Sequence, residues 1–101
     1  MSRRTELQDI LESILGSQEV YFQSPGSTLM KYPAIVYSRE VPDTKFADNI
    51  PYSWLQQYQV TVMDADPDSD IPSRVGRLPM CKQTRVFESN RLYHIVFSLY
   101  F

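Results

Sequence analysis

The stretch WLQQYQVTVMDADPDSD, Trp54 to Asp70, constrains this chain more than any other. Trp54, Tyr58, Val60 and Val62 fall at even spacing with Gln57, Gln59 and Thr61 between them, the period-two alternation of a strand with one buried and one wetter face. The strand runs directly into Asp64, Asp66, Asp68 and Asp70, with Pro67 among them. Proline has no backbone donor for a sheet ladder, so the strand must end there in an acidic loop.

Elements on either side supply the rest of a small sheet. Leu7, Ile10, Leu11, Ile14 and Leu15 recur at helical spacing, and Gly16 stands where a left-handed helix stop belongs, which predicts a helix over residues 4–15. Ser2 or Thr5 is its cap, Thr5 forming a weak capping box with Gln8. The apolar stripe reads as a core-facing side, with a partner-binding helix as the alternative. Val20 to Gln23 make a short first strand, closed by Ser24, Pro25, Gly26 and Ser27. Ala34 to Tyr37, apolar on both faces, belong to a strand in the middle of a sheet, and Pro33 is tolerated at its start. Residues 41–52 have prolines near both ends and no period, a long hairpin loop. Its Phe46 and Ile50 either fold back on their own domain or form an apolar tip for another subunit.

Beyond the aspartates, Ile71 to Leu78 predict two helical turns, weakened by Gly76 and stopped by Pro79. Asp70 is expected to cap them, with Asp68 near their positive end. Lys82 to Phe87 and Leu92 to Phe101 then form a terminal hairpin around Glu88, Ser89 and Asn90. Tyr93, Ile95, Phe97, Leu99 and Phe101 share the core face of its last strand, leaving Leu92, His94, Val96, Ser98 and Tyr100 on the other.

At 101 residues the chain is a single domain over 1–101, able to bury roughly 65 % of its unfolded surface. The expected fold is α+β: a four- to five-stranded mixed or antiparallel sheet, with the N-terminal helix and the short second helix packed mainly on one face. So little helix leaves the second face, with Gln57, Gln59, Met63, His94, Val96 and Tyr100, half apolar and in want of cover. Contact between subunits is the simplest cover.

A net charge of −2 argues against a surface built to neutralise many phosphates. The single cysteine, Cys81, allows neither an internal disulfide nor a multi-thiolate metal site, which fits a reducing compartment. The sequence holds no apolar run of about 18 residues for a membrane span, and the start MSRRTELQD lacks a signal peptide's apolar centre, so synthesis in the cytosol is expected.

Catalytic equipment is not visible. Asp64, Asp66 and Asp68 imitate the opening of a calcium loop, but Ser69 stands at its glycine and Val75 at its closing glutamate. A metal-dependent hydrolase built on the Asp64–Asp70 cluster would need a lysine grouped with carboxylates, and neither Pro42-Asp43 nor Pro67-Asp68 is followed by one on a strand. A nucleophile and base would have to be Cys81 and His94, across the hairpin, with no third group to orient them. Glycines at 16, 26 and 76 form no phosphate loop. No catalytic residue, cofactor or metal is therefore expected.

In order along the chain, TELQDILESILG, VYFQSPGSTLMKYPAIVY, YQVTVMDADPDSDIP, a cysteine after a short helix and a terminal HIVFSLYF resemble the small tail-terminator (tail-completion) proteins of long-tailed bacteriophages and prophages. KYPAIVY and YQVTVMDADPDSDIP are the most specific parts. The resemblance implies a virion protein that forms a six-membered ring at the head-proximal end of the tail tube. Such a ring ends tube polymerisation and presents a surface to head-completion (stopper) proteins, while DNA passes through the lumen without specific binding. It would be assembled in the bacterial host cytoplasm, with itself, the tail-tube protein and the stopper as partners and no membrane. In that setting the spare sheet face and the 41–52 loop become ring and tube contacts, and the acidic loop is expected to face the lumen. The alternative within the same virion is a head-side completion or adaptor protein of the neck.

Overall fold

The computed structural model describes residues 3–23, 31–40 and 56–101. Its elements are α1 (Arg3–Leu15), β1 (Val20–Phe22), β2 (Ala34–Glu40), β3 (Gln57–Asp64), α2 (Ile71–Gly76), β4 (Cys81–Ser89) and β5 (Leu92–Tyr100). The strands form one sheet in the order β1-β2-β3-β5-β4. β1 is parallel to β2, and the other neighbours are antiparallel. This is the expected mixed α+β sheet at its five-strand limit. β3, the alternating strand, lies at its centre.

Register explains which side chains become core. Val60 pairs with Tyr37 on one side and Phe97 on the other, and Val62 pairs with Ile35 and Ile95. Because side chains alternate along a strand, these residues share one face. Leu7 and Leu11 of α1 and Ile71 and Val75 of α2 pack on that face. Leu7, Leu11, Val60 and Val62 are sealed from solvent, and each such aliphatic side chain contributes about 1.5–3 kcal/mol by leaving water.

Several local devices differ from expectation. Gly16 ends α1 as expected, with φ +82° and its N–H donating to the Glu12 carbonyl at 2.8 Å, the αL stop that a side chain with a Cβ resists. Thr5, however, lies inside the helix rather than capping it. Gln8 builds no capping box either. Its Nε2 donates to Glu12 Oε2 (2.9 Å) and to the Val20 carbonyl (3.0 Å), and its Oε1 accepts from the buried Tyr37 hydroxyl at 2.6 Å. Tying the helix to β1 and β2 outweighs a local cap that satisfies one exposed N–H.

α2 stops at Gly76, short of Leu78. The Arg77 and Leu78 N–H groups donate to the Arg74 and Val75 carbonyls in a tighter final turn. Asp70 occupies the cap position but makes no capping bond, because its side chain reaches forward to Arg74 (2.9 Å). Ser69 Oγ accepts the Ile71 N–H instead, at 3.3 Å. The hairpin turn is Asn90-Arg91, starting two residues later than expected because β4 continues to Ser89. Both residues have positive φ, 54° and 65°, the backbone of a two-residue type I′ turn whose twist matches the flanking strands. Trp54, Phe46 and Ile50 lie outside the described residues.

Candidate functional site: the sheet face away from the helices

On the face opposite α1 and α2 the same register brings the alternate residues together. Thr61 of β3 pairs with Val36 and Val96, Met63 pairs with His94, and Gln59 pairs with Ser38 and Ser98. A groove of about 540 Å3 runs over Val36, Gln59, Met63, Phe87 and His94, with Gln23 at its β1 side. Its walls mix aliphatic, aromatic and amide groups. His94 Nδ1 lies 3.1 Å from the Leu92 carbonyl.

Of the residues expected on this face, Gln59, Met63 and His94 line the groove. Gln59 is exposed, whereas Met63 is only 8 % exposed and Val96 only 6 %. Val96 is therefore already covered within the chain and is support rather than contact surface. Gln57 donates from Nε2 to Ser98 Oγ at 2.9 Å, which fixes the amide at the end of the sheet. Tyr100 does not line the groove. It borders a separate apolar cavity of about 320 Å3 with Leu7, Ile10, Leu78, Met80 and Phe101.

Phe87 and Val36 are groove residues that the sequence did not single out. Phe87 reaches this face because of a bulge in β4. Gln83 pairs with Phe97 but Arg85 pairs with Val96, so Thr84 is the extra residue. One inserted residue exchanges the faces of everything beyond it. Phe87 thereby lands opposite His94, and Val86 turns to the core side, where it is 58 % exposed. Val36 was readable as apolar but not as facing the groove, because Ala34 to Tyr37 are apolar on both faces.

The acidic loop has a structural use for its spacing. Asp64 Oδ1 accepts the Asp66 N–H and Asp66 Oδ1 accepts the Asp68 N–H, both at 2.9 Å. Aspartates at alternate positions make successive Asx turns. Asp64 is buried while Asp66 and Asp68 are exposed. Among the described residues no group of three or more His, Cys, Asp or Glu side chains converges as metal ligands would.

A nucleophile–base pair of Cys81 and His94 is excluded by position. Cys81 pairs with Leu99 on the core side and His94 pairs with Phe87 on the other. Five residues separate Leu99 from His94 along β5, about 17 Å at strand spacing. Burial also pushes the Cys81 thiol up, away from the reactive thiolate.

At the sheet end away from the aspartates, Phe22 lies under two guanidiniums. The Arg4 carbon stands 4.7 Å from the ring centroid and that of Arg39 stands 5.5 Å away. Arg4 also donates to the Tyr37 hydroxyl at 3.3 Å, and Phe22 and Tyr37 are tilted neighbours at 5.1 Å. Burial pushes the Tyr37 hydroxyl up, against the opposing pull of Arg4.

Fold and site together define an α+β domain whose five-stranded sheet is backed by helices on one face and grooved on the other. No protein-family model, curated protein or solved structure matches this chain.

Proposed function

We infer that this chain is a structural virion protein of tail-terminator type, working through its interfaces without turnover. It forms a ring at the head-proximal end of a phage tail tube, ends tube growth and joins tail to head. The observation that carries this reading is the second sheet face. Neither described helix packs on it, and it offers Val36, Met63, Phe87 and His94 around a groove with exposed Gln59 at its floor. Mixed apolar and amide surface of this kind suits a protein partner better than water. The resemblance of KYPAIVY and YQVTVMDADPDSDIP to tail-terminator proteins names the assembly.

The test is sedimentation of the purified protein alone and with the tail-tube protein of its phage, followed by negative-stain images of the mixture. Rings seated on tube ends are the expected result. A chain that stays monomeric in both conditions overturns the reading, and binding to a portal-ring adaptor in place of the tube moves the protein to the head side of the neck.

A further inference from the structure

Opposite charges occupy opposite ends of the sheet. Arg39 pairs with Tyr58 at the start of β3, and Asp64 closes the same strand six residues later. At strand spacing that is about 20 Å, more than an arginine side chain can cross, so the two groups do not neutralise each other within one chain. Among the described residues the recorded ion pair is Arg74–Asp70, and no carboxylate reaches Arg4 or Arg39. Among the described residues no cation pairs with exposed Asp66 or Asp68, and Asp66 Oδ1 accepts the Asp68 N–H.

We propose that the Arg4–Phe22–Arg39 cluster of one copy receives the Asp66–Asp68 loop of a second copy. Each end is preorganised. The two guanidiniums are steered by one ring, and the Asp66 carboxylate is held by its Asx turn to the Asp68 N–H, so little of their side-chain freedom is lost on contact. The contact is head-to-tail: each copy offers its acidic end to one neighbour and its arginine end to the other. Such a heterologous contact closes into a ring when the rotation between copies allows it. The proposal rests on the ring reading and deepens it, naming which ends meet. It sets the acidic loop at the seam between copies rather than on the lumen wall.

The test uses the full chain in two charge-reversed forms, Arg39→Glu and Asp66→Lys/Asp68→Lys, with circular dichroism as the check on folding. Arg39 and both aspartates are exposed, so the monomer is expected to survive either change. Each variant alone should self-associate at least roughly tenfold more weakly than the native chain, as reversing a contact charge does. An equal mixture should recover association, because the new glutamate meets the new lysines while the native ends still match. Native-like association by each variant alone overturns this contact and leaves the ring reading standing. A native chain that never associates, even with tube protein, overturns both. If Arg39→Glu instead abolishes retention of duplex DNA with self-association unchanged, the arginines serve phosphate and the seam contact is wrong.

Discussion

Phe87 and His94 lie face to face across β4 and β5, ring centroids 4.7 Å apart and planes 12° from parallel. Arg85 sits over Phe87, its guanidinium carbon 4.8 Å from the ring centroid. The stack forms the β4 wall of the groove and is half wet, so its stabilisation is at the modest end for ring pairs. A double-mutant cycle with Phe87→Ala and His94→Ala, followed by urea unfolding, should give a coupling of about 0.5–1 kcal/mol. Additive effects of the two changes would show that the rings are neighbours only.

The stack also marks where sequence reasoning stops. The alternation around Tyr58, Val60 and Val62 identified β3 as a strand and told its two faces apart, because a period of two survives any choice of partner strand. The faces of β4 did not follow in the same way. They depend on the bulge at Thr84, which adds one residue without any glycine or proline to announce it. Gln8 and Asp70 were misplaced for a related reason. Both are ordinary cap residues by local chemistry, and both were drawn off by partners that only tertiary structure provides, Tyr37 and Arg74. The aspartates were legible as a loop, while their Asx turns require the backbone to be seen.

Arg91 holds φ 65° in the hairpin turn beside Asn90 at 54°. A type I′ turn prefers glycine at its second central position, since a Cβ is strained there. Arg91→Gly should therefore stabilise the domain by about 0.4–1 kcal/mol, against the usual direction for an added glycine. A raised urea midpoint with unchanged slope is the expected record. A lowered midpoint would mean that the arginine side chain contributes more than the turn costs.

Gln59 is exposed on the groove floor and pairs with Ser38 and Ser98 across the sheet. Gln59→Lys should leave monomer stability within about 0.5 kcal/mol, as surface changes do. If this face is covered by a partner, the added charge must be desolvated on assembly. Ring formation or tube binding should then weaken by at least about tenfold. Assembly by the lysine variant at native concentrations would remove the groove from the list of contact surfaces.

Cys81 packs against the core at the start of β4, and burial pushes its thiol up. An unfolded thiol ionises near ~8.5, so the folded chain keeps a proton that the unfolded chain releases above that pH. The stability linked to this proton is intact below about 8.5 and is lost as pH rises toward the higher folded value. Urea midpoints should fall between pH 8 and pH 9.5 for the native chain and fall less for Cys81→Ala. Iodoacetamide at pH 8 should modify Cys81 slowly in the native state and quickly in urea.

Asp64 and Asp66 each accept a backbone N–H two residues on. Asparagine keeps a side-chain carbonyl at the same distance from the backbone and tolerates the same turn, whereas alanine leaves the donor without its partner. Asp64→Asn/Asp66→Asn should thus retain most of the native stability. Asp64→Ala/Asp66→Ala should lose about 1–3 kcal/mol, most of it at buried Asp64. Thermal unfolding at low and high salt separates the two causes. A loss tied to the hydrogen bonds persists in salt, because the donors and acceptors are at contact distance, while a purely charge-based effect is screened. Equal destabilisation by asparagine and alanine would show that the carboxylate charge, rather than the turn, is what the loop requires.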